Sequence, residues 1–215
     1  MKTVLCYGDS NTWGYAPQDG SRYSHKIRWP MVLKEILNKG HADNPPFWVV
    51  EEGQNGRTSC REDPVEGDKN GLRQLIPILE SHKPIDIVAV MLGTNDMKTR
   101  YAPCPYDIAQ GVGRIVTAIK DSRTGPGSTS PVVLMICPPP TVRSPVFETM
   151  FGDCAEMSGK LPPYYEQFAQ ETGALFLDSG KILRSSEIDG IHLDPEEHRK
   201  LAQAVADIIK GIFQQ

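Results

Sequence analysis

The chain has 215 residues, with 39% hydrophobic and 23% charged side chains and a formal net charge of −4. That length buries one good core and is short for two, so residues 1–215 are expected to form a single domain. The mildly acidic balance, without a basic stripe, argues against a nucleic-acid surface, and no apolar run approaches the length that spans a bilayer.

The first predicted element is a short β-branched strand, Thr3 to Tyr7. Only Lys2 and a few apolar residues precede Gly8 and Asp9, too little for a secretory signal, so a cytoplasmic location is expected. Further strands are predicted at Trp48 to Glu51, Asp86 to Leu92, Val132 to Cys137 and Ala174 to Leu177. Between them fall helical patterns: Trp29 to Asn38, Leu72 to His82, Tyr106 to Asp121, Pro163 to Thr172 and Pro195 to Phe213. Strands alternating with helices predict an α/β fold, a parallel sheet covered on both faces. The last helix carries the clearest start, with Asp194 as N-cap, Pro195 in the first turn and Glu197 as capping-box acid. Its apolar face is expected at Leu201, Ala204, Val205 and Ile208, which leaves His198 on the solvated side.

The five cysteines, Cys6, Cys60, Cys104, Cys137 and Cys154, are odd in number, dispersed and without a C-x-x-C pair. They favour free thiols over a disulfide framework or structural zinc, and Cys6 and Cys137 read as small core residues. No metal and no cofactor is expected. Residues 138–162 form an insertion after the fourth strand whose Val146, Phe147, Met150 and Phe151 carry too much apolar surface to leave in water. It should cover either the mouth of a site or a neighbouring subunit.

In an open parallel sheet, ligands bind outside the carboxyl ends of the strands. Four segments sit there. The first strand runs into Gly8-Asp9-Ser10-Asn11, a serine at a turn where backbone N–H groups converge, outside any G-x-S-x-G elbow. The second leads to Asn55-Gly56, where glycine lets a backbone N–H approach a substrate closely. The third ends in Gly93-Thr94-Asn95-Asp96, whose Asn95 amide is a neutral donor suited to a tetrahedral oxyanion. After the fifth comes Asp189-Gly190-Ile191-His192, where a carboxylate three residues before an imidazole can fix its tautomer. Each segment alone is also an ordinary turn. Together they supply a nucleophile, oxyanion donors and an oriented base at one edge of the sheet.

These blocks resemble the SGNH (GDSL-type) hydrolases: G-D-S at Ser10, a glycine at Gly56, G-T-N-D at Asn95 and D-x-x-H at Asp189 and His192. More narrowly, Gly8 to Gly14, Glu51-Glu52-Gly53, Arg57-Thr58 and Met91 to Asp96 look like the bacterial arylesterase and acyltransferase branch. The resemblance implies a flavodoxin-like three-layer α/β/α sandwich with five parallel strands. It implies Ser10 as nucleophile, His192 as base, Asp189 as its orienting acid, and an oxyanion hole from the Ser10 and Gly56 N–H groups with the Asn95 amide. Trp13, Ile191 and Phe151 are the expected substrate-binding residues. One departure is Asn11, where many GDSL enzymes carry leucine.

The expected activity is hydrolysis of short-chain acyl or aryl esters through an acyl-enzyme, with an alcohol as a second acceptor, in a homo-oligomer. The runner-up is a carbohydrate O-deacetylase using the same triad. The rival of another class is a non-catalytic flavodoxin-like module with phosphate at the Gly8 to Asn11 turn, which leaves Asp189 and His192 without a role.

Overall fold

The structure, a computed structural model, describes residues 1–213. In chain order its elements are β1 (Lys2–Gly8), α1 (Ser10–Trp13), α2 (Trp29–Leu37), β2 (Phe47–Gly53), α3 (Gly71–His82), β3 (Ile87–Met91) and α4 (Pro105–Asp121). They continue with β4 (Val132–Cys137), α5 (Glu148–Phe151), α6 (Ala155–Gly159), α7 (Pro162–Thr172), β5 (Leu175–Asp178) and α8 (Pro195–Phe213). Every predicted strand and helix is present. The five strands form one parallel sheet in the order β2-β1-β3-β4-β5, so the chain reverses direction across the sheet between β1 and β3. This is the flavodoxin-like order, and the crevice at that reversal is where such sheets take ligands.

Alternation along the strands builds two cores. On one face Leu5, Tyr7, Val88 and Val90 pack beneath α3, α4 and α7; on the other Val4, Cys6, Ile87 and Ala89 meet α2 and α8. Every residue of β3 is buried, which is why its sequence is a continuous apolar run without polar alternation. Cys6 and Cys137 are core residues, their thiol pKa values pushed up by burial. Among the described residues no helix is long and apolar enough to cross a membrane.

Two expectations for α8 need correction. Its buried stripe is His198, Leu201, Ala202, Val205, Ala206 and Ile209, rotated toward the helix's other edge from the expected face, so Ala204 and Ile208 are only half-buried. His198 belongs to this i, i+3, i+4 series and is fully buried; its Nδ1 accepts from the Trp29 N–H at 3.3 Å. The capping box is also not closed. Asp194 does accept the Glu197 and His198 N–H groups on its carbonyl, but the Glu197 carboxylate accepts from the Arg184 N–H at 2.9 Å.

The insertion folds into α5 and α6, and Phe147, Met150 and Met157 pack against the α3/α4/α7 core. Of the two covers expected for it, the structure shows the one over the mouth of the cavity described next.

Candidate active site

The β1–α1 turn is held from within: the Asp9 carboxylate Oδ1 accepts the Asn11 N–H at 3.0 Å, and Gly14, in the left-handed region, ends the helix after one turn. Ser10 is thereby fixed at the carboxyl edge, 7% exposed. Across the crevice, the loop after β5 makes its tight turn at Gly190, φ +82, where a side chain would run into the Val142 carbonyl. That turn folds Asp189 back on the following backbone: its Oδ1 accepts the N–H groups of Ile191 at 3.0 Å and His192 at 2.9 Å.

The same carboxylate's Oδ2 lies 2.6 Å from His192 Nδ1, and His192 Nε2 lies 2.9 Å from Ser10 Oγ. The tautomer with its proton on Nδ1 satisfies both contacts: Nδ1–H donates to Asp189 and Nε2 accepts from the serine hydroxyl. Burial pushes the Asp189 pKa up, but the His192 hydrogen bond and charge and the two backbone N–H groups outweigh it and hold the carboxyl below its ordinary value. Asp189 is thus an anion at neutral pH. Tyr15 stacks on the imidazole at 4.0 Å with an interplanar angle of 24°, and Phe147 meets it edge-on at 5.8 Å. The ring has little room to turn.

These residues open on a cavity of about 160 Å³, with room for a short acyl chain. Ser10, Asn95 and His192 form its floor, and Tyr15, Phe147, Met150, Phe151 and Ile191 its apolar cover. Asn55, Gly56, Glu66 and Lys98 make a polar wall. Among the described residues the backbone N–H groups of Ser10 and Gly56 donate to no other group, and one hydrogen of the Asn95 amide faces Asp9 Oδ2 at 3.5 Å, leaving the second free. Such free donors beside a serine hydroxyl can receive an oxyanion. Burial pushes the Asp9 carboxyl up to about 6, opposed by the Asn11 N–H and the His192 and Arg57 charges.

Of the residues expected at the site, Ser10, Gly56, Asn95, Phe151, Ile191 and His192 line the cavity, and Asp189 stands behind the imidazole. Trp13 does not line it. Gly14 turns the chain back after Trp13, whose ring lies under the Arg22 guanidinium at 5.1 Å, and Tyr15 meets His192 instead.

Of the polar wall, Asn55 and Gly56 are expected from the sequence, and Glu66 and Lys98 are not. Lys98 is buried, its Nζ donating to Glu66 Oε1 at 2.6 Å and Asp63 Oδ2 at 3.2 Å, while Arg100 donates to Asp63 Oδ1 at 2.8 Å. Nothing in the spacing of residues 61–70 signals this network. Asp96, the last residue of the G-T-N-D block, has a structural part: its carboxylate accepts from the Ser59 N–H and hydroxyl, at 2.9 and 2.6 Å, and ties the loop after β2 to the end of β3. Among the described residues no three His, Cys, Asp or Glu side chains converge as a metal site requires.

Comparison with known proteins agrees with this geometry. Residues 6–200 match the model of the GDSL-like lipase/acylhydrolase family. Among solved structures, a carbohydrate acetylesterase family member from Sinorhizobium meliloti superposes with a TM-score of 0.91 at 35% identity, covering 100% of both chains. The arylesterase of M. smegmatis superposes with a TM-score of 0.89 at 35% identity over 98% of this chain and 99% of that one. An acetylxylan esterase of Xylanibacter ruminicola is 22% identical over 96% of this chain, which spans only 43% of that relative's length. On the family model, the fold and these identities, the chain belongs to the GDSL-like lipase/acylhydrolase family.

Proposed function

We propose that the chain is a serine esterase that cleaves short-chain acyl and aryl esters through an acyl-enzyme. The observation that carries the proposal is the buried relay from Asp189 through His192 to Ser10, at 2.6 and 2.9 Å, opening on a small cavity with free N–H donors. Ser10 Oγ bonds to the ester carbonyl carbon as its proton passes to His192 Nε2 and the carbonyl π pair moves onto oxygen. The Ser10 and Gly56 N–H groups and the Asn95 amide receive that oxyanion. Collapse breaks the bond to the alcohol oxygen, which leaves with the proton from His192. Water then repeats the sequence on the Ser10 ester, releasing acid and free serine. Asp189 stays ionised throughout and steadies the imidazolium, whose charge also lies against the Tyr15 ring face.

A second reading, deacetylation of carbohydrates, draws on the polar wall. Asn55 Oδ1 is buried without a partner, and Glu66 Oε2 is the oxygen that Lys98 leaves free, close beside Gly56. Two spare acceptors next to the oxyanion donors suit an alcohol portion that brings its own hydroxyl groups. The same acyl-enzyme can pass its acyl group to an alcohol held under the apolar cover. We place the activity in a cytoplasmic, single-domain homo-oligomer, which light scattering tests as a mass well above 23.8 kDa.

The deciding experiment is labelling with a fluorophosphonate followed by a panel of p-nitrophenyl esters and acetylated xylose. Labelling at Ser10, lost in Ser10→Ala with a fall in kcat of roughly 10⁵- to 10⁶-fold, is the expected result. Labelling of another serine, or tight nucleotide binding without ester turnover, overturns the proposal in favour of another nucleophile or a binding module.

A further inference from the structure

Asn11 departs from the leucine of the GDSL pattern, and it does not face the acyl cavity. Its side chain is 1% exposed and turned toward the loop that carries His192, about 180 residues away in sequence. Nδ2 donates to the Ile191 carbonyl at 3.3 Å, and Oδ1 accepts the Leu193 N–H at 3.0 Å. One planar amide therefore grips the peptide groups on both sides of the imidazole-bearing residue.

The remaining backbone groups there are also held. The His192 N–H donates to Asp189 Oδ1 at 2.9 Å, and the His192 carbonyl accepts the Ser186 N–H at 2.8 Å. All four polar groups of the peptides flanking the His192 Cα thus have buried partners, and Asn11 supplies two of the four. It is also the immediate neighbour of Ser10, and its own N–H is fixed by Asp9. A slide of the imidazole loop relative to the serine would break both Asn11 contacts, so the 2.9 Å approach of Nε2 to Oγ is set partly through this amide.

We infer that Asn11 is a positioning residue that sets the register between nucleophile and base, an inference that rests on the esterase reading above. The task demands a donor and an acceptor on one short planar group. Leucine supplies neither. Aspartate has the same shape but, when ionised, only acceptors, which set an oxygen against the Ile191 carbonyl; once protonated it regains a donor and matches asparagine.

The test compares wild type, Asn11→Leu and Asn11→Asp by second-order labelling of Ser10 with a fluorophosphonate, by kcat and KM on p-nitrophenyl acetate, and by thermal unfolding. Labelling of the wild type checks the esterase reading independently of Asn11. Asn11→Leu should label Ser10 and turn over about 10- to 100-fold more slowly with KM within about threefold, the size expected from a small misplacement of a catalytic group. In Asn11→Asp the rate relative to wild type, taken at each pH, should rise as pH falls and the carboxyl gains its proton. If Asn11→Leu does not fold, Asn11→Asp decides alone. Labelling at the wild-type rate in the folded variants, a loss carried wholly by KM, or an aspartate variant whose relative rate is flat with pH would overturn the inference.

Discussion

The floor and the cover of the cavity are held by different forces. Ser10, Asn95, Asp189 and His192 lie in a frame of directed, buried hydrogen bonds, and each bond fixes an angle as well as a distance. Phe147, Met150 and Phe151 hang from the one-turn helix α5 and are kept in place mainly by apolar contact, which tolerates sliding and changes of shape. Chemistry that must place a proton to a fraction of an ångström is built on the first kind of support. Choice among substrates of different outline is built on the second. Substitutions in the floor should therefore act on kcat, and those in the cover on KM and selectivity.

The sharpest probe of this division is Asp189→Asn. The amide oxygen can keep the Ile191 and His192 N–H groups, but this points its NH₂ at His192 Nδ1 and forces the imidazole proton onto Nε2. A ring in that tautomer cannot take the serine proton, so kcat should fall by roughly 10⁴-fold with thermal stability little changed. Full activity at every pH would remove Asp189 from the relay. Asn95→Ala deletes one oxyanion donor and should lower kcat by roughly 10²- to 10³-fold at near-constant KM; a change confined to KM would make Asn95 part of ground-state binding instead.

Phe147→Ala tests the cover. It removes a ring from the cavity and from the edge of His192, and should raise KM for aryl esters about 5- to 30-fold, about 1–2 kcal/mol of lost burial, while acetate esters of small alcohols change less. A kcat loss as large as that of Asn95→Ala would erase the distinction between the two regions.

A further effect is on stability and lies behind the floor. His198, buried and close to His192 and Arg28, has its pKa pushed down from 6.5 to about 3. The unfolded chain binds a proton that the folded one refuses, so this contribution is complete above pH 6.5 and is lost as pH falls toward 3. Asp9, raised from 3.8 to about 6, has the opposite sign: the fold takes up its proton first, and stability is regained as pH falls from 6 to 3.8. Replacing His198 by glutamine removes the first contribution alone. The unfolding free energy of His198→Gln, measured by urea titration, should gain on that of wild type by up to about 1.4 kcal/mol per pH unit on acidification below 6.5. A difference constant with pH would mean that the buried ring is already protonated.

Much of this organisation was legible in the sequence, because parallel strands buried on both faces leave apolar runs and short loops concentrate polar residues at their ends. The four site blocks could be placed for that reason alone. His198 was misplaced because the stripe on α8 was centred on Ala204 and Ile208; alanines at 202 and 206 are too small to mark a buried edge by hydrophobicity, although His198 shares their helical register. Trp13 is replaced by Tyr15 beside His192 because the Gly14 turn, which decides between neighbouring aromatic rings, leaves no trace in hydrophobic patterning. Lys98 and Glu66 gave no periodic signal, since a buried ion-pair network is assembled from loops whose contacts are tertiary. The reach of Asn11 was invisible for the same reason.

The wide sequence separation of Ser10 and His192, 182 positions, bears on how the protein is made. At roughly 5–20 residues added per second, some ten to forty seconds pass between the polymerisation of the two. Throughout that interval the ribosome-bound polypeptide carries the serine without His192, the imidazole that lies against it in the fold. Catalytic competence therefore arrives only with the loop that follows β5, and an emerging chain cannot attack esters around it before that loop docks on the finished sheet.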